Sequence, residues 1–182
     1  MERIIDILFL LYFGSHIPIA LFFDFQAVLP GWMFPKLFVD TVDWYAEEFG
    51  DAMMKAKPAW FKSFCTCELF LQFPFFFVAL YAYWKGISKC RWIRLPIIVY
   101  STHVVTSLIP ILFHIFLHDF TLESYKGPRT FTERLQLSGF YFPYFIVPLV
   151  LLLDALFHPV YVNGGSESTR TVKHKPKGRK HH

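Results

Sequence analysis

Four polar residues stand in stretches that are otherwise apolar, and they are the candidates for chemistry. Glu68 and Gln72 lie one helical turn apart in FCTCELFLQFPFFF, so a helix places both on one face. His16 precedes Asp24 by two turns in a second apolar stretch. An ionisable side chain inside a membrane costs about 2.5–3.5 kcal/mol on insertion scales, which makes each one a functional candidate.

Asp24 and Glu68 could act together if the fold brings them close. Two neighbouring buried carboxylates tend to share one proton and then carry one negative charge between them. Such a pair suits a hydrophobic ligand with one polar or cationic end, held by a charge-assisted hydrogen bond and by aromatic ring faces. The spacing is equally consistent with Glu68 as a polar clamp between helices, and the two interpretations remain open at this stage.

The composition indicates the elements that must position these residues. Of the 182 residues, 54% are hydrophobic and 20% aromatic, whereas soluble domains average about 45–50% apolar. A membrane helix needs roughly 20 mostly apolar residues, and four stretches qualify. The sequence therefore predicts an all-α polytopic protein, a four-helix transmembrane bundle within one domain, 1–160. The expected spans are about 4–23, 61–83, 93–117 and 137–157.

The charges of the connections predict the orientation of the chain. The link between spans two and three has four Lys and Arg residues and no acid, and the segment after Phe157 has six. Residues 24–60 have six acids against three lysines. Because basic connections stay in the cytosol, we expect both termini there. Residues 161–182 are expected to form a disordered basic tail that contacts anionic lipid or serves as a retrieval signal.

Polar and aromatic residues converge at similar depths in the lumenal half of the predicted bundle. At 1.5 Å per residue, Glu68 lies roughly 12 Å below the lumenal end of span two. Ser107 and Leu108 reach a comparable depth on span three, and Tyr141 and Tyr144 share one face of span four. Prolines within or beside the spans favour kinked helices and an internal lumen-side cavity. These are Pro18, Pro74, Pro96, Pro110, Pro143 and Pro148.

Other chemistry is weakly indicated. The three cysteines lack metal or disulfide spacing, and His103 and His114 share a helix face without a third ligand. No phosphate loop, nucleophile motif or zinc motif is present. We therefore expect no cofactor, no bound metal and no nucleic-acid partner. Residues 36–49 have helical hydrophobic spacing, which predicts a short amphipathic helix on the membrane or over the bundle.

Five segments of the sequence resemble the EXPERA family, which includes a sterol isomerase. The segments are SHIPIALFFDFQAVLP, WYAEEFGD, PAWFKSF, CELFLQFPFF and IPIL, in the family's order from about Tyr12 to Pro148. The resemblance implies a membrane receptor of the endoplasmic reticulum, with the nuclear envelope and lysosomal membranes as further locations. Implied ligands are sterols, oxysterols and cationic amphiphilic small molecules. The implied protein partner is the Niemann–Pick type C1 protein. Membrane lipids are expected partners as well, and a homodimer is expected only because two-fold dimers are common.

The resemblance also implies roles for particular residues. Asp24 would pair with a ligand's amine, Glu68 would share a proton with it, and Asp51 would support the loop. Two positions depart from the family pattern, since Ser107 replaces a threonine and Phe140 a smaller aliphatic residue, so ligand preference can differ. Asp154 has no matching acid in that pattern. The remaining implied lining residues are His16, Met54, Gln72, Leu108, Tyr141 and Tyr144.

Catalysis is the alternative function. A sterol isomerase of this family protonates a ring double bond and removes a proton elsewhere, and Glu68 matches one acid of that apparatus. The enzyme branch also carries a histidine one turn before the acid of the first span. Here that position is Ala20, and His16 lies a further turn away, so the proton relay is incomplete. The sequence therefore favours a binding protein that is not an enzyme.

Overall fold

The computed structural model describes residues 3–162, and four long helical segments dominate this part of the chain. All four have the length and apolar composition to cross a membrane, which confirms the all-α polytopic bundle. In chain order the helices are α1 (Ile4–Phe22), α2 (Lys36–Glu48), α3 (Ala52–Ala56), α4 (Ala59–Cys67), α5 (Phe73–Lys85), α6 (Arg94–Leu117), α7 (Phe131–Phe157) and α8 (Pro159–Val162). Five residues in π-helical conformation, Glu68–Gln72, join α4 to α5.

Local signals explain where the helices begin and end. Thr130 and Glu133 form a capping box at the start of α7, so this helix begins at Phe131, six residues before the predicted span. Gly86 ends α5 with a φ of 99°, a conformation that favours glycine. Prolines lie inside α1, α6 and α7. Each removes a backbone hydrogen bond that the helix would otherwise make.

The bundle has two unlike ends. The capped end is formed by residues 28–58 and 118–130, which connect the helices there, and the terminal end contains residues 3–6, 86–93 and 154–162. Toward the terminal end the core is filled by aromatic rings. Phe13 stacks on Tyr83 with centroids 6.1 Å apart, and Phe9 and Phe76 are fully buried beside them. The large side chains fill that half of the bundle, so any internal space must lie toward the capped end.

An ion-pair cluster joins the first and last spans at the terminal end. The Arg3 guanidinium donates two hydrogen bonds to Asp154, at 2.7 and 2.8 Å, and its Nε donates to Asp6 at 3.0 Å. Asp6 is fully buried and the Asp154 side chain is 8% exposed. Arg3 is thus the counter-charge of Asp154, the acid without a match in the family pattern.

The short helix α8 follows this cluster. Tyr161 is buried in it, and its hydroxyl lies 3.0 Å from that of Tyr83. Helix α8 ends at Val162, and residues 163–182, which form most of the predicted basic tail, lie outside the part of the chain that the structure describes.

The capped end is covered by α2, α3 and the loop before α7. Helix α2 buries Val42 and Ala46 and exposes its acids, which confirms the predicted amphipathic helix. Gly50 follows α2 with a φ of +67°, and its backbone packs against Gly127 of the facing loop. Lys57 donates to the carbonyl of Gln26 at 2.7 Å, which ties α3 to the end of the first span.

Substitution of Gly50 tests how closely this cap is packed. An alanine Cβ at position 50 would lie 3.2 Å from the carbonyl carbon of Gly127. The alanine would also have to adopt the left-handed backbone conformation of Gly50. We expect Gly50→Ala to lower the free energy of unfolding by about 1–3 kcal/mol. The matched control is Gly31→Ala, whose Cβ meets no heavy atom within 4 Å. Thermal denaturation in detergent measures both variants, and equal melting temperatures would contradict the close contact.

Candidate functional site

A cavity of about 350 Å³ lies between the spans on the capped side of the aromatic core. This volume falls within the range of small-molecule pockets, roughly 300–1,000 Å³. Its walls are mostly apolar and aromatic, with a few acidic and polar groups. The lining residues are His16, Ile19, Phe23, Asp24, Val42, Tyr45, Met54, Phe61, Phe64, Cys65, Glu68, Gln72, Val104, Ser107, Leu108, Ile111, Phe140, Tyr141 and Tyr144.

The π-helical turn positions Glu68 and Gln72 at this cavity. The N–H of Phe73 donates to the carbonyl of Glu68, five residues back, so the turn is wider than an α-helical one. Pro74 follows immediately, and its ring would clash with the carbonyl four residues earlier in a regular α-helix. The wide turn avoids this conflict, and π-turns are frequent at functional sites. It places both side chains in the cavity wall.

His16, Asp24 and Glu68 form one acidic cluster in the wall. Glu68 Oε1 lies 3.2 Å from His16 Nε2, and one ligand atom from each of the three residues lies within 4.8 Å of the others. The His16 ring is fixed between Phe76 and Tyr144, with centroid distances of 4.6 and 4.7 Å. His16 is 5% exposed. The cluster therefore combines two carboxylates with a nearby imidazole inside a mostly apolar cavity.

Two atoms of this cluster lack a hydrogen-bond partner in the described part of the chain. In the described part of the chain, His16 Nδ1 and Glu68 Oε1 are buried without a partner of acceptable geometry, although the His16–Glu68 distance is short. Buried polar groups are nearly always hydrogen-bonded. A ligand that donates a hydrogen bond or carries a positive charge would satisfy the carboxylate.

The same three residues could hold a metal ion. Imidazole and carboxylate are a mixed donor set that suits zinc and similar divalent ions. This grouping differs from the histidines considered in the sequence, since His103 lies against Gln72 and His114 stacks on His118 at the capped end. This cluster is the candidate for metal coordination in the part of the chain that the structure describes. From the sequence we expected no bound metal.

Asp51 supports the cavity wall from behind. Its Oδ2 accepts hydrogen bonds from Tyr141 at 2.7 Å and Tyr45 at 3.1 Å, and both tyrosines line the cavity. Its Oδ1 accepts from the backbone N–H of Met54 at 3.0 Å and caps α3. Asp51 thereby joins the cap to the fourth span and orients two lining rings.

The ionisation of Asp51 should make stability depend on pH. Burial raises the pKa of this carboxyl, and the hydrogen bonds from Tyr141, Met54 and Tyr45 oppose that rise only in part. A folded-state pKa above the unfolded value of about 3.9 means that the folded protein binds the proton more tightly. The stabilisation is complete below pH 3.9 and is lost as pH rises through the raised pKa.

Asp51→Asn removes this titration and keeps a side-chain oxygen that can cap α3. We expect the wild type to lose stability relative to Asp51→Asn as the pH rises from about 4. Melting temperatures of the two proteins between pH 4 and 8 measure the difference. A difference that stays constant over this range would contradict the raised pKa.

The structure brings nearly all the predicted site residues together. Ten of the eleven line the cavity, namely His16, Asp24, Met54, Glu68, Gln72, Ser107, Leu108, Phe140, Tyr141 and Tyr144, while Asp51 lies behind Tyr45 and Tyr141. Nine of the nineteen lining residues were not predicted from the sequence, Tyr45 and Cys65 among them. For Tyr45 a signal was available, because it lies on the apolar face of the predicted amphipathic helix.

Fold and site together define a four-span membrane protein whose internal pocket combines acids with aromatic rings. The profile of the EXPERA family (EXPanded EBP superfamily) matches residues 37–155. The chain belongs to this family. It is 49% identical over 163 residues to Sigma intracellular receptor 2 of Homo sapiens, covering 88% of this chain and 92% of the human protein. These matches confirm the resemblance seen in the sequence.

Two further relatives show the range of similarity. Sigma intracellular receptor 2 of Xenopus tropicalis is 48% identical over 159 residues, covering 87% of this chain and 92% of the frog protein. Efficient mitochondria targeting-associated protein 19 of Saccharomyces cerevisiae is 26% identical over 152 residues, covering 79% of this chain and 92% of the yeast protein.

Proposed function

We propose that this protein is an intracellular membrane receptor for sterols, oxysterols and cationic amphiphilic small molecules. The observation that carries the proposal is the acidic cluster of His16, Asp24 and Glu68 in a largely apolar cavity. No lysine or arginine is among the residues found to line that cavity within the described part of the chain. The charge of the two acids therefore has to be balanced by protons or by a positively charged ligand.

The geometry supports a division of roles in the pocket. Asp24 receives the ligand's amine, and Glu68 shares a proton with Asp24. The aromatic rings of Tyr141 and Tyr144 contact the cation and the apolar body of the ligand. Similarity to proteins named Sigma intracellular receptor 2 supports a receptor of small ligands.

Membership of this family also motivates a proposal for the cellular role. We propose residence in the endoplasmic reticulum membrane, with both termini cytosolic and the capped end in the lumen. The basic 85–94 connection at the terminal end supports this orientation. The role is cholesterol homeostasis and trafficking, in contact with the Niemann–Pick type C1 protein. Assembly as a two-fold homodimer, the commonest symmetric oligomer, belongs to the same proposal.

A sterol isomerase is the second candidate. The contact of 3.2 Å between His16 and Glu68 favours it, because an acid beside an imidazole can transfer a proton. Ala20 occupies the position one turn before Asp24, where the family's enzymes carry a histidine. Since that group is missing, we place binding ahead of catalysis.

Incubation of the purified protein with an isomerisable sterol separates the two candidates. Chromatography with mass spectrometry then identifies the recovered sterol. We expect unchanged sterol bound to the protein, as for a receptor. A shifted double bond that disappears in Glu68→Gln would overturn the proposal and establish an isomerase.

A further inference from the structure

Gln72 contacts a histidine that faces it from another span. Its Nε2 lies 3.3 Å from Nδ1 of His103 on α6, and Gln72 is 7% exposed. With the amide in this orientation its N–H₂ group donates to His103 Nδ1, and the neutral imidazole then carries its proton on Nε2. His103 is not among the residues found to line the cavity. The contact uses one of the two N–H donors of the amide and turns the amide nitrogen toward His103, so that the oxygen Oε1 is left to accept from a ligand.

Other donors in the cavity wall are committed in the same way. The Tyr45 and Tyr141 hydroxyls donate to Asp51, and the Ser107 hydroxyl donates to the carbonyl of Val104 at 3.0 Å. These groups are left with oxygen lone pairs, and Asp24 and Glu68 contribute carboxylate oxygens. These groups therefore offer a ligand mainly hydrogen-bond acceptors, while His16 Nδ1 has no partner within the described part of the chain.

The acceptors occupy neighbouring levels along the spans. Gln72 lies one π-turn beyond Glu68 toward the terminal end, and its contact with His103 places it at the level of that residue. Helix α6 runs in the opposite direction, so Ser107 lies one turn back toward the capped end, near the level of Glu68. A ligand whose charged end meets Asp24 and Glu68 thus encounters a second polar region, formed by Gln72, one turn deeper.

We propose that His103 is a positioning residue that makes this deeper region accept a hydroxyl donor and reject a carbonyl oxygen. The inference rests on the proposed binding function and specifies its ligand class as compounds with a hydroxyl group in reach of Gln72. A hydroxyl donates to Gln72 Oε1. A ketone oxygen meets another acceptor there and loses its hydrogen bonds to water without replacement.

Three amine ligands of one skeleton test the proposal. The parent amine carries no further polar group. The second ligand carries a hydroxyl at the end remote from the nitrogen, and the third carries a ketone on the carbon that bears this hydroxyl. Several positions of this carbon are tested. Wild-type protein should bind the best alcohol about tenfold more tightly than its ketone. Because both affinities are measured on one sample, their ratio does not depend on the fraction of protein that is folded.

Variants of His103 separate positioning from packing. His103→Phe keeps an aromatic ring but removes the acceptor, so the amide can rotate and the alcohol-to-ketone ratio should fall to about threefold or less. His103→Asn keeps an oxygen near the position of Nδ1, so it should retain the wild-type preference. Gln72→Met should abolish the preference. His114→Phe, on the same helix but outside the cavity wall, is the control and should keep it.

The outcomes distinguish this inference from the function on which it rests. Absence of binding of the parent amine to wild-type protein would overturn the proposed function. Normal amine binding with equal affinity for alcohol and ketone would overturn only the inference. So would a preference for the ketone, since it would mean that the amide of Gln72 is turned the other way. An unchanged ratio in His103→Phe would exclude His103 as the positioning residue.

Discussion

Asp24→Asn and Glu68→Gln are each expected to weaken the binding of a protonated amine by about a hundredfold. Both substitutions keep the size of the side chain and remove a charge from an acidic cluster inside a mostly apolar cavity. Loss of one partner from a buried, hydrogen-bonded charge pair costs about 2–5 kcal/mol, and 1.4 kcal/mol corresponds to a factor of ten in affinity. Equilibrium binding of a radiolabelled amine to purified protein measures the loss.

The control for these variants is Asp40→Asn, because Asp40 is exposed on α2 and pairs with exposed Lys36. It should bind the amine as the wild type does. Melting temperatures verify that every variant is folded. Normal amine binding by both Asp24→Asn and Glu68→Gln would show that the pocket is assigned wrongly. Failure of both to fold would favour Glu68 as a clamp between helices.

Arg3→Met is expected to lower the free energy of unfolding by about 3–5 kcal/mol. The substitution leaves Asp6 and Asp154 buried without their counter-charge, and such a loss costs about that amount in buried ion pairs. Methionine retains much of the apolar contact of the arginine stem, so the effect reports mainly on charge. Thermal denaturation in detergent measures it.

The triple variant Arg3→Met, Asp6→Asn, Asp154→Asn is the matched comparison, since it removes the two unbalanced charges as well. It should recover a large part of the lost stability. Lys36→Met serves as the exposed control, because it breaks the Lys36–Asp40 pair at the surface, where ion pairs contribute at most about 1 kcal/mol. A loss in Arg3→Met no greater than in Lys36→Met would contradict the buried cluster.

Much of the fold could be predicted because membrane spans follow strong rules. The apolar stretches identified four spans, and the spacing in residues 36–49 identified α2. Helix α7 begins six residues before the predicted span, because its first residues are polar and Thr130 and Glu133 form a recognisable capping box there. Capping residues therefore locate this helix better than hydropathy does.

The residues of the site could be predicted from the sequence, but the contacts between them could not. Matching depths and the family resemblance selected residues such as Asp24, Glu68 and Tyr141, which the structure places around one cavity. The contact of His16 with Glu68 depends on the wide π-turn before Pro74. Spacing on a regular helix does not reveal such a turn.

Contacts between residues far apart in the chain could not be predicted from the sequence either. Arg3 and Asp154 are 151 residues apart, and any of several basic residues could have balanced that acid. Only the packing of the first span against the fourth selects Arg3. The same holds for Gln72 and His103, which were considered separately as a lining residue and a metal candidate.

Photo-crosslinking of a sterol that carries a diazirine tests the central claim most directly. The purified protein is irradiated with the sterol, digested and analysed by mass spectrometry, with and without an excess of the amine. We predict labels on cavity-lining peptides from α4 and α7, such as those containing Phe64 and Tyr144, and loss of these labels when the amine is present. Labels confined to lipid-facing residues such as Phe113 and Leu153, unchanged by the amine, would contradict a sterol-binding pocket.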